Sequence, residues 1–264
     1  MIKSSLIIST YNWPEALELV LKSVNHQTQL PDEVIIADDG SKDDTRNLIE
    51  LLEKDFQIPL KHVWQEDKGN RKSKIMNKAI AVSSYDYIIS IDGDVILNEN
   101  FIKDHLMMVE ENVYLYGSRV NIQKSELDRL FNTKNIKFNF FSKGIKKRGR
   151  TLRILFLSKF QKKHSNFSSK MRGCNFSFWK NDFIKVNGYN EDIMGWGRED
   201  SELVLRMKNA GVEAKRLKFC AIVYHIYHNE QSKSFLEKNN QIQEKTINNK
   251  VIYTENGLNK KKDG

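Results

Sequence analysis

An apolar run, Tyr87, Ile88, Ile89 and Ile91, leads straight into Asp92-Gly93-Asp94. The run predicts a buried strand that ends in carboxylates. Residues two apart on an extended backbone point the same way, so Asp92 and Asp94 would present their side chains together, and Gly93 would let another group approach the chain closely. Paired oxygen ligands suit a hard divalent cation that keeps open positions for a phosphate-bearing substrate. A polar turn after a strand would use the same residue types without any metal. A second carboxylate pair, Glu199-Asp200, precedes Leu203, Val204 and Met207, with Gly211 beyond them. This spacing predicts a helix over 199–210 with its acids at the positive end of the dipole, where plain capping acids also sit. His225 and His228 follow in a strand-like stretch, 221–228, that ends in a polar loop.

The elements that must position these groups alternate. Apolar runs at 5–9, 34–37, 61–65, 87–91 and 113–117 predict strands, and helical spacing is predicted between them. Asn12 is the expected N-cap of the first helix, with Pro14 in its first turn, and further helices are expected over 70–82 and 99–110. Strand-helix alternation indicates an α/β layer with a mainly parallel sheet and right-handed crossovers, in which ligands collect at the carboxyl ends of strands. Thr10, Tyr11 and Asn12, the pair Asp38-Asp39, and Asp92 to Asp94 all fall at such ends. Neither G-x-G-x-x-G nor G-x-x-x-x-G-K-[ST] occurs, so a nucleotide bound here would have its phosphates neutralised by a metal.

The 264 residues, 39% hydrophobic, suffice for a sizeable core. Cys174 and Cys220 are too few and too far apart for a disulfide framework or a thiolate zinc site. The start of the chain does not read as a signal peptide, and no apolar run is long enough for a bilayer, so a cytoplasmic protein is expected. The net charge of +9 is local: residues 121–172 hold 15 Lys/Arg against Glu126 and Asp128. That segment should meet something anionic.

The runs S-T-Y-N-W-P, A-D-D-G-S-x-D-D-T and S-I-D-G-D-V-I resemble the N-terminal half of family 2 glycosyltransferases of the GT-A fold, with their DXD motif, over residues 2 to about 120. Arg172 to Trp179, Val186 to Tyr189 and Gly195-Trp196-Gly197-Arg198-Glu199-Asp200 resemble the G-W-G-x-E-D block of β-1,4-galactosyltransferases and bacterial chondroitin-polymerase-type enzymes. The resemblance implies an inverting, metal-dependent hexosyltransferase that uses a UDP-sugar of the Gal, GalNAc, Glc or GlcNAc type and Mn2+ or Mg2+. Its acceptor would be a saccharide or lipid-linked saccharide in bacterial surface polysaccharide or lipopolysaccharide synthesis. It implies Asp200 as catalytic base, with Glu199, Trp196 and Gly197 on the acceptor. His225 would join Asp94 and Asp92 at the metal, more readily than His228; with Asp94, His225 and the diphosphate oxygens as ligands, Asp92 would turn toward the ribose or stand behind the ligands. Thr10, Tyr11, Asn12 and Asp39 would surround the uracil end, and Asp92, Gly93 and Asp94 the donor phosphates. Lys68 and Arg71 fall where the family carries a basic residue near the diphosphate; the family's Arg before the Asn is replaced by Met76.

The expected organisation is a donor half over 1–120, a basic and aromatic insertion over 121–171, a catalytic half over 172–230, and a tail over 231–264 that is helical and then disordered. Seven Phe are interleaved with the basic residues of the insertion, and Leu152, Leu155, Phe156 and Lys159 have helical spacing. A contact with an anionic membrane surface at the inner face of the cytoplasmic membrane, an acceptor lid, or a solvated loop would each fit. Nucleic acid is not the expected partner. The rival classes are a metal-dependent nucleotidyl- or phosphotransferase, which leaves G-W-G-x-E-D unexplained, and a non-catalytic nucleic-acid or membrane-binding module.

Overall fold

The structure, a computed structural model, describes residues 2–260. Chain order is β1 (Ser4–Thr10), α1 (Pro14–Asn25), β2 (Glu33–Asp38), α2 (Asp43–Glu53), β3 (Leu60–Trp64), α3 (Lys72–Ala81), β4 (Tyr87–Asp92), β5 (Val95–Leu97), α4 (Phe101–Met107) and β6 (Val113–Tyr116). It continues with β7 (Arg119–Ile122), α5 (Leu127–Thr133), β8 (Ile145–Lys146), α6 (Leu155–Ser158), β9 (Lys163–His164), β10 (Phe176–Trp179), α7 (Lys180–Lys185), α8 (Glu199–Asn209), β11 (Glu213–Arg216), β12 (Val223–His225) and α9 (Leu236–Asn248).

The large sheet runs β3-β2-β1-β4-β10-β6-β11-β9. Its first four strands are parallel, and β10 is antiparallel to both its neighbours. Side chains alternate between two cores, as an extended backbone requires. Leu6, Ile8, Val34, Ile36, Ile89 and Ile91 pack toward α1 and α4, while Ile7, Ile35 and Ile88 face Ile75, Met76 and Ile80 of α3 together with Leu203 and Met207 of α8. The register pairs Thr10 with Asp38 and Ser9 with Asp92, so these polar residues end their strands at one level.

A second, smaller sheet, β5-β12-β7-β8, was not apparent from the sequence. Its third core packs Ala16 and Leu19 of α1 against Val120, Ile122, Leu130, Ile145 and Tyr224. Much of the expected insertion therefore belongs to the fold: β7, α5 and β8 supply buried residues. The amphipathic helix expected around 152–159 is only the single turn α6, because Ile154 is drawn out to donate to the Phe219 carbonyl (2.9 Å) and Leu155 packs inward. Asn12 is not the cap of α1. It has a left-handed φ of 46°, Trp13 occupies the cap position, and the Asn12 amide oxygen accepts the Lys42 N–H (2.8 Å).

The C-terminal stretch also departs from expectation. Helix α9 lies on α8, and residues 249–260 beyond it are fastened rather than disordered. Asn187 donates to the carbonyls of Thr254 (2.7 Å) and Asn259 (2.9 Å), and its own side-chain oxygen accepts from the Asn259 N–H (2.7 Å). The last four residues of that expectation, 261–264, lie outside the described residues. Helix α8 is anchored by a fully buried ion pair, Arg206 to Glu202 (2.7 Å), with Thr246 of α9 donating to the same carboxylate (3.0 Å). Removing one partner strands the other's charge in the core. Arg206→Ala is expected to cost about 3–5 kcal/mol of stability, read from urea denaturation, and the double change Glu202→Gln with Arg206→Met to cost clearly less.

Candidate active site

Strand β4 ends at Asp92, and the Gly93 N–H donates to the Ser9 carbonyl (2.7 Å). A Cβ at Gly93 would stand 2.9 Å from that carbonyl oxygen, so the close approach of the chain to β1 requires glycine. Asp92 and Asp94 then diverge. Asp92 accepts from the Ser9 hydroxyl (3.0 Å) and from the Lys72 ammonium (2.8 Å). Asp94 turns to the second sheet, where its carboxylate meets His225 Nε2 (3.5 Å) and His228 Nε2 (3.3 Å).

Backbone pairing explains that meeting. His225 of β12 pairs with Val95, and the Ile226 N–H donates to the Asp94 carbonyl (2.9 Å). One ligand atom from each of Asp94, His225 and His228 lies within 4.8 Å of the others. His228, the less favoured of the two histidines by sequence, thus joins the group. Asp92, expected as a third ligand, stands outside that group, with its Oδ1 bonded to Lys72 and Ser9. Burial, and then the charge of Asp92, push the Asp94 carboxyl up to about 7, while burial and the nearby Arg119 push His225 down to about 3. His225 is therefore a neutral imidazole with a free lone pair, and Asp94 Oδ1 is buried without a partner. Two imidazoles and a carboxylate with an unsatisfied oxygen form a donor set that fits a divalent ion.

Across the cleft, the loop carrying Gly195, Trp196 and Gly197 delivers Glu199 and Asp200 at the head of α8. Positive φ at Gly195 (67°), Gly197 (98°) and Arg198 (83°) makes the sharp entry. The Gly195 N–H donates to the Asn70 carbonyl (3.0 Å), and Asn239 of α9 donates to the carbonyls of Met194 (2.8 Å) and Gly197 (2.9 Å). Asp200 accepts from the Gly173 N–H (3.0 Å) and the Tyr189 hydroxyl (3.3 Å). Gly173 has no room for a side chain, since a Cβ there would sit 2.1 Å from the Asp200 carboxylate. Trp196 is 43% exposed beside the site.

Lys72 joins the two sides. Its ammonium bonds Asp92 and lies 3.7 Å from Glu199. Burial opposes that charge, but Asp200, Asp92 and Glu199 outweigh it and raise the pKa well above the ordinary lysine value. Burial raises both Asp200 and Glu199, the latter to about 7 with help from Asp200, and Glu199 Oε2 is buried with no partner. Sequence reasoning missed Lys72 and named its neighbours instead. Lys68 is exposed and pairs with Glu66 (2.8 Å), while the Arg71 guanidinium donates to the Glu66 carbonyl. The available signal was position: Lys72 opens α3, at the strand-end level of the sheet.

At the β1–β2 end, Thr10 is buried and Asp39 accepts from Gln65 (2.6 Å) and from the Arg71 N–H (2.6 Å); burial raises the Asp39 carboxyl. Tyr11 is 52% exposed, with its hydroxyl donating to Asp67 (2.9 Å). Along the carboxyl edge the order is therefore Thr10, Tyr11 and Asp39, then Asp92 and Asp94, then Asp200.

Compared with known proteins, the chain matches the family model described as Glycosyl transferase family 2 over residues 5–177. A second model, described as N-terminal domain of galactosyltransferase, matches residues 154–229. A chondroitin synthase of Escherichia coli is 26% identical over 84% of this chain and 34% of its own length. A validoxylamine A glucosyltransferase of Streptomyces hygroscopicus subsp. limoneus is 27% identical over 79% of this chain and 48% of its own. The chain spans about a third to a half of these relatives. Among solved structures, S. aureus TarS 1-349 in complex with UDP aligns with a TM-score of 0.63 at 16% identity, covering 92% of this chain and 64% of that one. GalNAc-T7 with UDP, GalNAc and Mn2+ aligns at 0.64 and 15%, covering 87% of this chain and 45% of that one. At such identities the likeness concerns the fold alone.

A divalent ion that binds the folded Asp94, His225 and His228 set should stabilise the protein by about 2.7 kcal/mol at a hundred times its dissociation constant. Differential scanning fluorimetry with Mn2+ and with Mg2+ is expected to record that rise, and Asp94→Ala to abolish it. Because protons compete for the Asp94 carboxylate, the rise should shrink as pH falls through about 7.

Proposed function

The chain belongs to glycosyltransferase family 2 and has the GT-A fold, and on that premise we propose that it is an inverting, metal-dependent hexosyltransferase. The donor would be a UDP-sugar and the acceptor a saccharide of a bacterial surface glycan. The observation that carries this reading is Lys72, whose ammonium holds the carboxylates of β4 and of α8 in one cleft. A phosphotransferase or nucleotidyltransferase would leave the Asp200 cradle of Gly173 and Tyr189 without a purpose.

Asp200 takes the proton from the acceptor hydroxyl as that oxygen attacks the anomeric carbon from the face opposite the diphosphate, inverting the centre while the bond to the diphosphate breaks. Its two hydrogen bonds orient the carboxylate, and burial keeps it basic enough for the task. Glu199, beside it with an unpartnered oxygen, accepts from a neighbouring acceptor hydroxyl, and the exposed face of Trp196 supports the sugar ring. Thr10, Tyr11 and Asp39 receive the uracil. Asp94, His225 and His228 would hold Mn2+ or Mg2+, which supplies Lewis-acid charge against the departing diphosphate. The UDP in the TarS structure and the UDP and Mn2+ in that of GalNAc-T7 support this assignment of the donor end.

The exposed ring pairs Phe140–Phe141 (5.5 Å) and Phe156–Phe160 (5.1 Å), set among lysines and arginines, support a peripheral contact with an anionic membrane face, where a lipid-linked acceptor would be met. No helix among the described residues is long and apolar enough to cross a membrane.

Asp200→Asn is expected to retain UDP and Mn2+ binding by calorimetry while losing about a hundredfold or more in transfer rate. Full turnover by that variant would overturn the assignment. Lys72→Met removes the charge that favours the ionised acids, so the acidic limb of the pH–rate profile should move to higher pH.

A further inference from the structure

Five cations gather at the carboxyl edge beyond the proposed base. Strands β6 and β11 run parallel and finish at Tyr116 and Arg216, and the chain leaving β6 enters β7 at Arg119. Strand β10 runs the other way, so Arg172, just before it, comes to the same edge next to Gly173, whose N–H holds Asp200. The Arg150 guanidinium reaches back to the Arg119 carbonyl (2.8 Å), and the Arg150 N–H donates to the carbonyl of Lys147 (2.9 Å). Besides burial, the charges of Arg119 and Arg172 depress both Lys147 and Arg150, and Arg119 also acts on Asp94 and His225.

Cations nearby are neutralised: Lys215 by Glu110 (2.5 Å), Lys163 by Glu213 (2.8 Å) and Arg153 by Asp104 (2.6 Å). None of the five has a carboxylate partner among the described residues. Holding like charges together unpaired costs free energy. It is offset when a multiply charged anion binds, and guanidinium forks match phosphate oxygens in pairs.

The geometry points to Arg119, Lys147, Arg150, Arg172 and Arg216 as a subsite for a phosphate or diphosphate group carried by the acceptor. This rests on the proposed transferase reading. The sheet order separates the subsite from the uracil end: Thr10 and Asp39 belong to β1 and the end of β2, Arg172 and Arg216 to the β10 and β11 side of the large sheet, and Arg119, Lys147 and Arg150 to the second sheet and the chain that leaves it. Arg172 adjoins Gly173, whose N–H holds the proposed base Asp200, and this proximity to the base assigns the anion to the acceptor. Several cations converge, which exceeds what a single carboxylate needs. Arg119 and Arg216 are half-buried, less open to a flat bilayer surface than the exposed Lys147, Arg150 and Arg172.

The test is calorimetric titration of the full chain with inorganic pyrophosphate in the presence of EDTA, which measures the subsite without a metal or turnover. The wild type should bind. The exposed-site variants Arg150→Gln and Arg150→Gln/Arg172→Gln should weaken binding about tenfold for each charge-assisted hydrogen bond removed, with UDP and Mn2+ affinity unchanged. Unaltered pyrophosphate binding in both variants would overturn the proposal. An equal loss of UDP and Mn2+ affinity would assign the cluster to the donor and overturn it as well. Loss of binding to phosphatidylglycerol vesicles with pyrophosphate binding intact would make it a membrane contact instead. Since no arm needs transfer, failure of the catalytic reading, seen as an active Asp200→Asn, is a separate result.

Discussion

The site depends on one ammonium group. Asp92, Glu199 and Asp200 come from the end of a strand and the head of a helix, and bringing three carboxylates into a partly buried cleft is electrostatically unfavourable. Lys72 offsets that repulsion by bonding Asp92 and standing close to Glu199. The helix that carries Lys72 is fixed in turn, since α3 packs Ile75, Met76 and Ile80 against the central strands. The strength of the core on that face therefore sets how accurately the acids on the two sides of the cleft are aligned.

The second sheet solves a different problem. Asp94 lies two residues beyond the end of β4, and on an isolated strand both aspartates would project alike. The short β5, paired with β12, turns the chain after Gly93 so that Asp94 faces the histidines while Asp92 faces Lys72. A motif that reads as two equivalent ligands is thus split into two duties by a three-residue strand. The loop before α8 is held similarly by its surroundings: Asn239 of α9 and the Asn70 carbonyl clamp a segment that ends in Arg198, a non-glycine residue at a disfavoured positive φ of 83°.

The C-terminal region therefore contributes to the site through contact rather than chemistry. Asn239 and Thr246 present a polar face of α9 to the loop and to the buried Glu202–Arg206 pair, and Asn187 fastens the chain beyond the helix. A polar sequence of weak periodicity gives little sign of this, because side-chain amides satisfying distant backbone carbonyls leave no hydrophobic pattern.

The sequence by itself determined the alternation of strands and helices, the family, and the strand-end and helix-head acids, because apolar periodicity and short motifs are local properties of the chain. Asp39, Asp92, Asp94, Glu199 and Asp200 could all be picked out in that way. Tertiary structure alone decided which of them share a partner. It brought in Lys72, admitted His228 beside His225, bonded Asp92 to Lys72 and Ser9, and drew part of the basic segment into a second sheet and its core. Those outcomes rest on pairings between residues far apart in the chain, such as Asp94 with β12 or Glu199 with α3, and their energies depend on burial and distance rather than on neighbours in sequence.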